Sequence, residues 1–363
     1  MHMFSNLSFL STSARPRLSI AGSLALAALM AATQVVAQEA PSGKVWGTSG
    51  APTAANVPAR QALGTIQPAA AIADEMTADA VTSHLTYSSA SYATGGGALR
   101  NRATTAIEIS GAVAPIKAAY LYWAVITGST APDSVAELTL TREYPAPVES
   151  SLVKGVLIAT GSVPCWIGEK INVYRALVST ALVKGNGSYR VTISGTAGTA
   201  GSVDGGDPWV EKQALPLWEG ASIVVVGTGA GTVVLYDVGL AGKTWKTSLS
   251  YTLDLPVVSK GKLTLFDTIA ADGQLGSSRS PIDALKYTEM NDYRVQGPGS
   301  YYNDTGWNGA AGWPLPQLWD DNGNNVTGVA PSGTKTIAVY IYQETDTEYE
   351  DCLTPVANVL EIQ

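Results

Sequence analysis

Histidine is almost missing from this chain: His2 and His84 are the only two in 363 residues. A catalytic triad would have to recruit one of these two residues, and a zinc site with three imidazoles cannot be assembled at all. Cysteine is equally scarce, at two, and neither Cys165 nor Cys352 has a basic neighbour closer than Lys170 to lower a thiol pKa. Thiol catalysis is therefore excluded on the same grounds. Charge is sparse too, at 14% of residues, with 22 basic against 30 acidic side chains for a formal −8. That balance gives no electrostatic pull toward nucleic acid or an anionic membrane. A phosphate-binding loop is also absent, because Gly229-Ala-Gly231 leads from one strand pattern into another rather than into a helix.

What is present is apolar content of 45%, 37 glycines and 19 prolines, enough core and enough turns for a folded body rather than a disordered chain. The first residues read as an export signal. Arg15 and Arg17 precede a stretch, residues 18–36, without charge, and Val35-Val36-Ala37 supplies the small residues a signal peptidase needs. A retained anchor is the competing reading, but the stretch is weakly hydrophobic, so cleavage after residue 37 is expected. Losing those two arginines takes the charge from −8 to −10. Residues 38–83, rich in Ala, Pro and Thr, read as a flexible spacer.

The rest reads as all-β: two antiparallel β-sandwich lobes of jelly-roll or immunoglobulin-like type, over residues 84–242 and 243–363, divided near Gly239–Lys246. Period-two alternation marks half-buried strands at Leu138 and Leu140, at Tyr189, Val191 and Ile193, at Leu263 and Leu265, and at Ile337, Val339 and Ile341. Two runs, residues 118–126 and 221–226, are apolar on both faces and are expected as central strands. One helix is expected, over 173–183, from Val173, Leu177 and Val178 and the Gly185-Asn-Gly187 stop. Asp320-Asp-Asn-Gly-Asn-Asn325 lacks the glycine and glutamate positions of an EF-hand loop and is expected to be a turn.

Three features carry the remaining chemistry. Cys165 and Cys352 are expected to form a structural disulfide in an oxidising compartment, with two free buried thiols as the alternative. Glu344, Asp346, Glu348 and Glu350 recur at i+2; on one strand face they would repel unless solvated or bound to calcium, and the solvated hairpin is the plainer reading. Calcium is the single cofactor this pattern suggests. Tyr301, Tyr302, Trp307, Trp313 and Trp319 crowd a Gly/Asn/Pro-rich segment. Those rings either stack on sugars or another protein, or fold inward as the segment's own core. A carboxylate pair for glycoside hydrolysis could also lie among the acids, but sequence spacing does not show the separation such chemistry needs.

Several segments carry a resemblance: Ala119-Tyr-Leu-Tyr-Trp123, residues 181–189, Glu219-Gly-Ala-Ser-Ile-Val-Val-Val226 and Asp351-Cys-Leu353. Together, over most of residues 85–363, they resemble the exported bacterial β-sandwich domains of surface and adhesin-like proteins. The resemblance implies a cell-envelope or extracellular protein and brings no catalytic residue with it. Neither the repeat array nor the sorting tail of the larger members is expected in this protein. The expectation is thus a secreted or cell-surface, non-enzymatic protein of adhesion or extracellular assembly. Its partners would be an extracellular protein, a polysaccharide surface or another copy, with no nucleic acid and no membrane span after cleavage. A carbohydrate-binding module built on the five aromatics, or a carboxylate-based hydrolase, is the alternative.

Overall fold

The computed structural model describes residues 81, 84–100, 102–163, 168–193, 215–238, 248–271, 286–291, 293–296, 319–343 and 353–363. Regular structure among them is all β, in sixteen strands with two short 3-10 turns. The strands are β1 His84–Ala98, β2 Thr104–Ile109, β3 Ala118–Thr127, β4 Glu137–Tyr144, β5 Glu149–Lys154, β6 Val156–Ser162, β7 Lys170–Val178, β8 Gly187–Ile193 and β9 Leu217–Asp237. They continue with β10 Ser248–Asp254, β11 Thr264–Ala271, β12 Lys286–Met290, β13 Tyr293–Gln296, β14 Trp319–Asn325, β15 Thr336–Gln343 and β16 Thr354–Ile362. All pairings are antiparallel.

One eight-stranded sheet runs β14-β11-β16-β9-β3-β7-β6, with β1 also on β9; two four-stranded sheets run β2-β8-β4-β5 and β10-β15-β12-β13. The large sheet does not lie flat. The front half of β9 pairs with β3, its back half pairs with β16, and β1 follows both halves. Between the halves a register break sets Ala90 against both Thr228 and Gly231. Such a bulge sharpens local twist and bends the ribbon. The bend is held by Ser91 Oγ donating to the Thr228 carbonyl at 2.6 Å and by Lys117 Nζ donating to the Ser88 and Ser89 carbonyls at 2.7 and 2.8 Å.

Folded this way, the large sheet packs against itself, and its two halves form the middle of a four-layer stack. The first half (β6, β7, β3, front β9, back β1) shares a core with the β2-β8-β4-β5 sheet, around Leu121, Trp123, Val125, Leu140, Val191 and Ile223. The second half (back β9, β16, β11, β14) shares one with the β10-β15-β12-β13 sheet, around Tyr236, Phe266, Leu253, Val339, Ile341 and Leu360. A third core lies between the halves and includes Tyr122, Ile126, Val173, Val224, Ile269, Val359 and Trp319. Two sandwiches are thus joined through a common interior, and β1 and β9 belong to both.

The runs read as central strands are central: every residue of β3 is buried, and Ala221–Val226 lies wholly inside β9. The half-buried alternation of β8 is found as expected, with Tyr189, Val191 and Ile193 inside. Three expectations are corrected. Residues 173–178 are strand, not helix: they close β7, between β3 and β6, and only residues 179–183 turn, with the Leu182 and Val183 amides donating to the Ser179 carbonyl. Burial on both faces mimicked a helical stripe, and β-branched Ile171, Val173 and Val178 settle as strand. The stretch Asp320–Asn325 is not a turn but the body of β14, zipped residue by residue to β11; cross-strand pairing overrides its turn propensity. The strand read as half-buried at Leu263 and Leu265 is instead buried along all of β11, Thr264 included, because cores lie on both of its faces.

Candidate functional site

At the seam between the two halves, five polar and aromatic side chains meet near the surface. Arg175 on β7 makes an ion pair with Asp237 at the end of β9, and the Tyr122 hydroxyl donates to Asp237 Oδ1 at 3.3 Å. The Arg175 guanidinium lies 5.8 Å over the Tyr120 ring, a cation–π contact. The Tyr120 hydroxyl shares a hydrogen bond with that of Tyr87, their rings tilted at 57° with centroids 6.4 Å apart. Strand register puts these together: Tyr120 and Tyr122 alternate on β3, and β7 sets Arg175 opposite Tyr122. Burial raises the Asp237 carboxyl above its ordinary range, with Arg175 offsetting part of the shift. Burial, and then the bond to Tyr120, pushes the Tyr87 hydroxyl upward as well. The Tyr87 hydroxyl is thus not poised to act as a base near neutral pH.

Outside this seam the surface opens onto one flank of the first sandwich. There β5 and β6 are the last strands of their two sheets, linked by the single residue Gly155. Large apolar side chains are exposed on two sides of it. On one are Tyr144 and Val148 at the turn into β5, with Leu152 on β5, which points out of the small sheet since its neighbour Val153 enters the first-sandwich core. On the other are Val156 on β6 and Leu177 on β7 (69% exposed), which register places on the seam-facing side of the large sheet; Leu157 on β6 is half exposed. Register sets Val156 beside Arg175, and Leu177 beside Tyr120, so the apolar flank and the seam cluster adjoin. Isolated apolar residues on a surface are ordinary; a group on one flank next to Tyr and Arg has the composition of a protein-docking surface.

The deeper carboxylates serve packing. Arg100 Nη2 donates to both carboxylate oxygens of Glu219, at 2.5 and 2.7 Å, with both residues enclosed. Asp267 accepts from Thr94 Oγ1 at 2.6 Å between the two halves, and Glu361 accepts from Gln363 Nε2 at 3.0 Å. With Asp320, all of these are at most 3% exposed, so a glycan does not reach them for acid–base chemistry.

Of the aromatic group, Trp319 alone lies within the described residues, and it is fully buried. It belongs to the core between the halves, its indole N–H donating to Ser222 Oγ at 3.0 Å. As a member of a sugar platform it is therefore corrected to a core residue. Tyr301, Tyr302, Trp307 and Trp313, the acids Glu344, Asp346, Glu348 and Glu350, both cysteines and the leader and spacer up to residue 80 lie outside the described residues. Among the described residues no group of three or more His, Cys, Asp or Glu is arranged to hold a metal, and no helix is long and apolar enough to cross a membrane. The seam cluster was missed from sequence. Its members are five isolated residues on four strands, and the one legible signal was the unbroken aromatic run of β3.

No protein-family model matches the chain, and no curated protein matches it. Among solved structures it is similar to a β-porphyranase of glycoside hydrolase family 86 from the human gut bacterium Bacteroides plebeius, at 9% identity and a TM-score of 0.21, over 79% of this chain and 37% of that one. It is similar also to the ANX2 ectodomain from Arabidopsis thaliana, at 10% identity and a TM-score of 0.23, over 77% of this chain and 83% of that one. The chain thus spans little more than a third of the length of the porphyranase.

Proposed function

We propose that this is a secreted or cell-surface, non-enzymatic β-sandwich protein acting in adhesion or extracellular assembly. The observation that carries the reading is an open apolar patch: Val156 and Leu177 in solvent beside the Tyr87–Tyr120–Arg175 cluster, on an all-β body with few charges. Buried area of that kind is gained only against a macromolecular surface. The basic start, the uncharged stretch and the small-residue exit at Ala37 support export. Export would also bring Cys165 and Cys352 into an oxidising compartment, where a disulfide between them forms.

The test is fractionation of producing cells with a C-terminal epitope on the full chain, followed by N-terminal sequencing and by coating of cells with the purified protein. The expected result is a surface or medium fraction that begins at Gln38 and coats cells through the flank. Coating should fall in Val156→Lys and Leu177→Lys variants that still fold. A cytosolic product retaining Met1, or turnover of a glycan abolished by a single Asp or Glu change, would overturn the reading.

A further inference from the structure

The core of the second sandwich is apolar along most of its lining and polar at one spot. On the face that enters this core, β11 presents Phe266, Thr268 and Ala270, and β16 presents Asn358, Leu360 and Ile362. Register sets Thr268 directly opposite Asn358, so the two side chains leave the same face with Cβ atoms about 5 Å apart. Both are enclosed, at 1% and 0% exposure. From the facing sheet, the Tyr251 hydroxyl on β10 donates to Asn358 Oδ1 at 2.8 Å. Burial pushes that hydroxyl well above its ordinary range, so it keeps its proton. The bond uses one polar atom of the amide. Asn358 Nδ2 and Thr268 Oγ1 meet no hydrogen-bond partner among the described residues, and although they are cross-strand neighbours they do not bond to each other. Turning the amide over changes which of its atoms is left, not the number. Two such groups side by side in a closed core call for a partner.

We infer that Asn358, Thr268 and Tyr251 form the binding site of a single structural water, and that this site fixes the register at which β16 enters the large sheet. The ligand follows from the donor set. Asn358 Nδ2 offers a proton, while Thr268 Oγ1 and the remaining lone pair of the Tyr251 oxygen each accept one. A molecule that accepts once and donates twice is water, and three hydrogen bonds are usual for a buried one. The consequence for register follows from the neighbours. Beyond Asn358 the core-facing side of β16 is apolar, so burial alone separates the observed seat only weakly from one displaced by two residues. Such a displacement sets Asn358 beside Phe266 or Ala270. It takes the amide from Tyr251, Thr268 and the water together, and leaves all of them buried without partners. Fixing register is the best-attested use of a lone buried polar group. The inference goes beyond the adhesion reading and does not depend on it.

Water magnetic relaxation dispersion, which counts long-lived internal waters, tests the site by comparing the full chain with Asn358→Leu/Thr268→Val. The expected result is the loss of one long-lived water in the double variant. Backbone amide spectra of the same samples test the register role: the parent should give one set of signals along Thr354–Ile362, and the double variant two or more. If the double variant does not fold, Tyr251→Phe removes one acceptor and keeps the ring, and the water's residence time should shorten several-fold. An unchanged water count in the folded double variant, or an unchanged residence time in Tyr251→Phe, would overturn the site. A lost water with a single, unaltered set of amide signals would overturn the register role.

Discussion

Trp319 offers the sharpest test of the four-layer arrangement, because it touches both halves of the large sheet. It sits on β14 in the second half, and its indole lies on Gly220 of β9 in the first; a Cβ at that glycine would run into the ring. Beside it, a Cβ at Gly96 would stand 2.6 Å from Ser222 Oγ and 3.0 Å from the Asp321 Cβ. The halves therefore approach to backbone distance here. Trp319→Ala deletes a fully buried indole where no side chain can collapse into the space, and large aromatic truncations cost about 3–5 kcal/mol. It also strips the buried Ser222 hydroxyl of its donor, worth about 1 kcal/mol more. Trp319→Phe keeps most of the volume and should cost about 1–2 kcal/mol. Gly220→Ala forces the ring aside, at roughly 1–3 kcal/mol. Joined to Trp319→Leu it should be milder than the sum, since the clash has been removed, with a coupling of about 1 kcal/mol or more. Urea unfolding followed by far-ultraviolet circular dichroism measures all four variants. With a slope of about 3 kcal/mol/M, the alanine variant should lose about 1.3–2 M in midpoint. A Trp319→Ala chain as stable as its parent within about 1 kcal/mol, or strict additivity with Gly220, would show that the halves do not meet here.

Two further expectations rest on buried charge. Arg100→Met leaves Glu219 enclosed without its guanidinium and should cost about 3–5 kcal/mol in denaturant melts, while Arg100→Met/Glu219→Met should recover most of that. Burial raises the carboxyls of Glu219, Asp237 and Glu361 above their ordinary values, so the folded chain holds protons that the unfolded chain has released. Stability should then fall as pH climbs from roughly 4 through the folded values. Glu361→Gln, which keeps an acceptor for Gln363, should flatten part of that slope and gain stability at neutral pH but not in acid; an unchanged unfolding midpoint across pH would count against it.

The strands that were legible are those whose pattern is set by one solvent face or by none. β8 and β15 alternate cleanly, and β3 is an unbroken apolar run, so each could be placed from sequence. β7 and β14 could not. The first is covered on both faces, which erases the period that separates strand from helix; the second is built of Asp, Asn and Gly and is strand because β11 and Trp319 hold it there. β1 was hidden as well, since Gly95-Gly96-Gly97 carries no strand pattern; the three glycines are explained by close approach on both faces, β2 lying on Gly95 and Gly97 and Ser222 with Asp321 on Gly96. The seam cluster stayed unread for a related reason. The Arg175–Asp237 pair joins β7 to the end of β9 across 62 positions, and contact at that range depends on which way a twisted ribbon bends.

β9 gives the molecule an order of completion. Its flanks are occupied by strands from the start of the body and from the far end of the chain, so the middle strand waits on Thr354–Ile362 before its back half is closed. Until those nine residues arrive, β9 and β11 both face an empty lane, and the two sandwiches lack their shared interior. A body assembled in this way has no early stopping point. The shared interior of the two sandwiches closes only when β16 settles between β9 and β11.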